Sequence, residues 1–237
     1  MTAASNHHAD EPAAAAIRLL ARQGFDATSV EELAEAGGMS RSTFFRKFGS
    51  KEDVVFADHE RILSQVNALL VESTQDPLAA VEDAALLVFN HHLRNPGTSR
   101  ARYQLLQAVP ALRDRELVTS HRYERAFLRH VLDKLPDDGG HEHTAVAFAA
   151  SVVAVHNAFL RQWLRAVAVG TAAGDAAPGD QERAASLAAE LHGLSRLFRP
   201  VLLGRGRAVQ PPTVVVTVLS DAPDKEAIVR AVRDALP

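Results

Sequence analysis

Apolar side chains recur every three to four positions along most of the chain, while glycine and proline fall mostly between the periodic segments. That period belongs to helices that each bury one face, so the chain reads as all-α. Ile17, Leu20, Ala21 and Phe25 make the first apolar face, and Gly24 lies where that helix should stop. Thr28 and Ser29 precede "VEELAEAGG". Thr28 with Glu31, or Ser29 with Glu32, forms a capping box there, and Gly37-Gly38 provide the exit. A short third helix is predicted over roughly 40–47. From Ser50, "SKEDVVFADHERILSQVNALLVES" sets Val55, Ile62, Val66, Leu69 and Leu70 on one face and predicts one long helix. Ser50 caps it, and Glu52 and Asp53 suit its positive end.

Further helices are predicted over about 77–95, 99–109, 112–135, 143–170 and 180–203, separated by "RNPG", "VP", "PDDGG" and "GTAAGDAAPGD". Beyond Gly204 the pattern changes. "GRGRAVQPP" has linker composition, "TVVVTVL" is a β-branched run of strand length, and "DAPDKEAIVRAVRDAL" returns to helical period. A lone strand leaves its backbone groups unpaired, so "TVVVTVL" is expected to pair with its twin in a second subunit or with a partner protein.

At 237 residues, 47% of them hydrophobic, the chain has room for a small domain fused to a larger one. It has no cysteine, which removes disulfides, thiolate zinc sites and thiol nucleophiles and fits a reducing, cytoplasmic setting. The N-terminal "MTAASNHHADEP" lacks the basic start and apolar stretch of a signal peptide, and no window holds about 18 uninterrupted apolar residues, so no membrane association is expected. A net charge of −3 argues against indiscriminate coating of nucleic acid, while leaving room for a basic reading head on an acidic body.

Three short helices, the second and third joined by a glycine-containing turn, make a helix-turn-helix pattern. In "SRSTFFRKFGSKED", Phe44 and Phe48 share one helix face and predict core, while Phe45 is turned about 100° away from Phe44. Ser42, Thr43, Arg46 and Lys47 fall on the remaining face, where a recognition helix meets base edges and phosphates. Thr28 and Lys51 stand at helix starts suited to a phosphate. Taken singly, any of these residues is equally explained as a solvated charge or cap. The full order, Gly-Phe-x-x-Thr-Ser-Val-x-x-Leu-Ala followed by Gly-x-Ser-Arg-x-Thr-Phe-Phe-x-x-Phe-x-Ser-Lys-Glu, is far more specific.

That order resembles the DNA-binding domain of the TetR family of transcriptional regulators over about residues 11–56. The resemblance implies an all-α homodimer whose two heads read a palindromic double-stranded DNA operator, and whose helical body binds a small effector that releases DNA. The segments expected are a disordered tail over 1–10, a helix-turn-helix DNA-binding domain over 11–56, a helical ligand-binding and dimerisation domain over 57–203, and a C-terminal linker, strand and helix over 204–237. The family's DNA contacts fall here on Thr28, Ser40, Arg41, Ser42, Thr43, Phe45, Arg46, Lys47 and Lys51. Phe45 replaces a common tyrosine and Lys47 a common histidine. The first change loses a phosphate hydrogen bond, and the second adds a cation.

By the same resemblance, Phe89, His92, Tyr103, Leu106, Phe127, His130, Val153, His156 and Asn157 surround an effector cavity. His156 has an alternative reading as a satisfied core histidine. "RYQLLQAVPALRDRE" resembles family members that accept acyl or acyl-CoA-like molecules, for whose anionic head Arg102, Arg113 and Arg122 are candidates beside their plainer reading as solvated charges. Phe159, Trp163, Leu187, Leu191, Leu194 and Leu197 are candidates for the dimer seam, with packing inside one subunit the competing explanation.

No cofactor is expected, and a metal is not. The histidines of His91-His92 point about 100° apart, and those of His141-x-His143 lie in a glycine-rich loop. An all-helical enzyme or metal protein is the rival from another class, but no Glu-x-x-His, phosphate loop or Gly-x-Ser-x-Gly elbow supports it. A third reading is an interaction protein that kept the scaffold and lost DNA binding, since Asp26, Glu31, Glu32 and Glu35 offset the head's cations.

Overall fold

A computed structural model describes residues 7–135, 140–168 and 179–204, which contain ten helices and no strand. In chain order they are α1 (His7–Gln23), α2 (Val30–Ala36), α3 (Arg41–Phe48), α4 (Lys51–Val55), α5 (Ala57–Glu72), α6 (Pro77–Arg94), α7 (Pro96–Ala108), α8 (Pro110–Leu132), α9 (Glu142–Ala168) and α10 (Asp180–Leu202). The expected linker, strand and helix of 204–237 lie, Gly204 apart, outside the described residues, as do positions 1–6 of the expected tail. Positions 7–10, also assigned to that tail, belong to α1.

Local chemistry sets the turns of the head. Ser29 accepts the Glu32 amide (3.2 Å) while the Glu32 carboxylate takes the Ser29 amide (2.7 Å), so Ser29 with Glu32 is the capping box of α2. Gly38 (φ 65°) makes the sharp exit toward α3, and Gly49 (φ 84°) ends α3, both in a conformation that L side chains rarely adopt. Ser40 caps α3 by accepting the Thr43 amide (3.2 Å).

The long helix expected from Ser50 is two helices. Val54 and Val55 are fully buried and Phe56 nearly so, and three consecutive side chains on a straight helix span about 200°, too wide an arc to bury on one face. The backbone therefore breaks at Phe56 (φ −114°, ψ 9°).

Two hydrophobic clusters result. The larger joins α5, α6, α8, α9 and α10 around Ile62, Val81, Phe89, Phe127, Phe148 and Trp163. The smaller holds the head together around Ile17, Leu20, Leu33, Phe44 and Val54, and α7 contributes Ala101, Leu105 and Leu106 to it. α9 is long and apolar enough, by length and mean hydropathy alone, to cross a membrane. Its residues Ala145, Phe148, Ala149, Val152 and Trp163 are instead buried in the larger cluster. Trp163, Leu187 and Leu191, candidates for a dimer seam, are core within the subunit, whereas Leu197 is 70% exposed.

Candidate nucleic-acid interface and ligand pocket

α3 separates its apolar and polar sides as its sequence predicts. Phe44 and Phe48 are buried with ring centroids 5.1 Å apart, and Phe45 is 41% exposed. Arg41, Ser42, Arg46 and Lys47 are exposed on the same short helix, with Thr43 half-buried. The Arg41 guanidinium pairs with Glu31 of α2 (2.5 Å) and sits 5.6 Å from the Phe45 ring centroid, so Arg41 is held across the helix-turn-helix. The Lys47 ammonium lies 5.3 Å from the Phe48 ring centroid.

Two sequence-derived contacts are placed differently. Thr28 is 2% exposed and its hydroxyl donates to the Gly24 carbonyl (2.7 Å), so it closes the α1–α2 turn and presents no hydroxyl at the surface. Lys51 donates to the carbonyls of Phe25 (2.7 Å) and Thr28 (3.2 Å) and lies 4.4 Å from the Phe25 ring centroid. It therefore ties α4 to that same turn.

In the body, α5 to α9 enclose a cavity of about 90 Å³. Seven of the nine sequence candidates line it: His92, Tyr103, Leu106, Phe127, Val153, His156 and Asn157. Phe89 stands behind the wall against the His156 ring, and His130 is buried elsewhere on α8. His59, Ser99, Arg102, Glu116 and Tyr123 also line the cavity; of these the sequence points only to Arg102, as a candidate for an anionic head group or, more plainly, a solvated charge.

Arg102 is 4% exposed rather than solvated. Its Nε donates to the Val55 carbonyl at the end of α4 (2.7 Å), and its Nη2 donates to Asp58 Oδ1 on α5 (2.5 Å). His91 Nε2 donates to the other oxygen of Asp58 (3.1 Å), because a carboxylate can only accept. Burial pushes the Asp58 carboxyl up, but the Arg102 charge and the His91 bond outweigh it and hold the group well below the ordinary value. Arg122 is paired with Glu60 of α5, and Arg115 with Asp53 of α4. Three arginines thus fasten the α4–α5 junction to α7 and α8.

The cavity's histidines are neutral. Burial lowers His59 and His156 to about 4 and pushes His92 well below its ordinary value. His59 Nδ1 lies 3.2 Å from the Tyr123 hydroxyl, and His92 Nδ1 lies 3.2 Å from the Ser99 hydroxyl. Burial raises Tyr123 and Glu116, which favours their protonated forms. His91 and His92 turn to Asp58 and Ser99 respectively, and among the described residues no three His, Asp or Glu side chains are grouped as metal ligands would be.

A family model described as bacterial regulatory proteins, tetR family, matches residues 13–57. Over those residues the chain is similar to the N-terminal domain of that family. The HTH-type transcriptional regulator EthR of Mycolicibacterium smegmatis is 32% identical over 105 residues, a stretch covering 43% of this chain and 48% of that protein. The chain spans 41% to 48% of the length of the curated relatives it matches. In fold, it is similar to NalD of Pseudomonas aeruginosa, the secondary repressor of a multidrug efflux pump (TM-score 0.53, 16% identity, 80% of this chain and 96% of that one). It is equally similar to FadR of Bacillus halodurans, a fatty acid degradation regulator (TM-score 0.53, 16% identity, 84% and 96%). EthR and FadR are regulators and NalD is a repressor.

Proposed function

We propose that the chain is a ligand-responsive DNA-binding transcriptional regulator, a repressor that binds a palindromic operator as a homodimer. The observation that carries this reading is the TetR-type head, whose α3 keeps Phe44 and Phe48 inward while Arg41, Ser42, Phe45, Arg46 and Lys47 stand outward. Ser40 and Thr43 fix the start of that helix, Phe45 lays apolar surface on sugar or thymine methyl groups, and Arg46 and Lys47 meet phosphates or base edges. Residues 11–56 act as the reading head and 57–203 as the effector and dimer body. In the dimer, α9 and α10 pair with their twins, using the exposed Leu197 and Val201 and the small exposed residues Ala185, Ala189 and Gly193. A small hydrophobic or acyl-type effector enters the cavity between α5 and α9 and releases DNA.

The route from effector to head runs through Arg102. It lines the cavity and grips the last carbonyl of α4, so a ligand that displaces α7 moves the last helix of the reading head. Motion of this kind needs a ligand with unequal affinity for the two arrangements. The test is fluorescence anisotropy of the full chain on labelled DNA from upstream of its own gene, across a salt series and against scrambled competitor. Specific binding that weakens steeply with salt is expected; equal affinity for scrambled DNA at low salt sinks the proposal.

A further inference from the structure

The His156 imidazole is 8% exposed, and its Nε2 has no hydrogen-bond partner. Its other nitrogen, Nδ1, donates to Asn157 Oδ1 (3.1 Å), and Asn157 in turn donates through Nδ2 to the Ser120 hydroxyl (3.2 Å). A neutral imidazole carries one N–H, and with the Asn157 amide turned so that Oδ1 faces the ring that N–H is spent on Asn157 and Nε2 carries a bare lone pair. An unsatisfied buried acceptor is costly and uncommon, and this one lies on the wall of the cavity. Around it the surface is mainly apolar, with Val88, Phe127, Val153 and Leu160 contributing to the lining.

The charges of the cavity point the same way. Arg102 is already neutralised by Asp58, and the histidines that line the wall are uncharged. Arg161, at the exposed edge, is the cation an anionic group would meet on entering, since burial favours the protonated form of Glu116 beside it. An anionic head group carried inward to His156 itself would meet only neutral rings and an Arg102 already paired with Asp58, at a cost of several kcal/mol.

We infer that the effector is a neutral amphipathic molecule that donates a hydrogen bond, through a hydroxyl or N–H group, to Nε2 of His156 while its apolar body lies against Val88, Phe127 and Val153. This inference rests on the proposed effector role of the cavity. Nε2 is shut off from solvent, and the cavity of about 90 Å³, open at the edge where Arg161 stands, is smaller than the roughly 150 Å³ void that accommodates a benzene ring. A ring-bearing effector reaching Nε2 from that edge would displace part of the wall, to which Arg102 also belongs.

Isothermal titration calorimetry of the full chain with 4-methylphenol, 4-methylanisole, toluene and 4-methylbenzoate tests this without DNA. The four probes share a ring and differ in offering a donor, an acceptor only, neither, or an anion. The phenol is expected to bind at least fivefold tighter than the anisole and toluene, and the benzoate weakest of all. In His156→Leu the phenol's advantage should shrink to within twofold. Equal binding of phenol and toluene, preference for the anisole or the anion, or no binding of any probe at millimolar concentration overturns the inference. The wild-type series decides this even if a variant fails to fold. A chain that prefers the phenol but binds no specific DNA would sink the regulator proposal and leave this inference standing; intact operator binding without donor preference would do the reverse.

Discussion

Acid should destabilise this protein well above the pH at which its carboxylates protonate. Burial lowers half-buried His59 and buried His156 to about 4 when folded, against 6.5 for a free ring, because it disfavours the charged form. Between those values the unfolded chain binds protons that the folded chain refuses, so stability falls as pH falls through that window. At pH 5 each ring costs about 2 kcal/mol relative to pH 7.5, or about 4 kcal/mol for the pair. For a chain of this size that lowers the melting temperature by roughly 10 °C. Around His59, Asp58 favours the charged ring while Arg102, His91 and His156 oppose it. Glu116, raised by burial, acts in the opposite sense and offsets part of the loss, whereas Asp58 contributes only below its ordinary 3.8. His92, pushed well below its ordinary value by burial, adds to the loss in the same direction. Thermal melts at fixed protein concentration between pH 7.5 and 5 measure the effect, and His156→Leu should remove about 2 kcal/mol of it. A melting temperature flat across that range, or a variant as acid-sensitive as the parent, would show that these rings are hydrated and ionisable in solution.

Phe44→Ala should cost about 3–5 kcal/mol in urea unfolding, because the ring is fully buried, while Phe45→Ala should leave stability nearly unchanged and weaken DNA binding. Arg46→Ala and Lys47→Ala should weaken operator binding by about 1–3 kcal/mol if the side chain reads a base, and less, without regard to sequence, if it touches only phosphate. Anisotropy on operator and scrambled DNA separates the two cases. Arg102→Met should cost about 3–5 kcal/mol in urea unfolding by leaving the Asp58 carboxylate buried without its cation, and Arg102→Met with Asp58→Leu should recover most of the loss. Leu197→Arg, on the exposed side of α10, should shift sedimentation toward monomer with little change in secondary structure.

The sequence carried the helices because their limits are written in local chemistry: the Ser29 capping box, the Gly38 and Gly49 turns, and prolines at the starts of α6, α7 and α8. It carried the two-sided character of α3 for the same reason, since Phe44 and Phe48 are four residues apart. The break at Phe56 was hidden, because Val54, Val55 and Phe56 fit a helical period and only their common burial forces a turn. Thr28 and Ser29 offered equivalent caps, and the choice depended on where the Thr28 hydroxyl could reach. His59 and Tyr123 meet across 64 positions, and Arg102 finds Val55 across 47. No spacing rule links residues that far apart, so a buried arginine resembled a solvated one.

The side chains of Ala101, Leu105 and Leu106 complete the hydrophobic interior of a head whose own sequence signature ends at residue 57. Cutting the chain at that point would expose Ile17, Leu20 and Val55 along the line where α7 had covered them. A chimera joining this head to another regulator's body would therefore inherit a foreign α7 against α1. This head should move between bodies as an intact cassette only when α7 travels with α1 to α4.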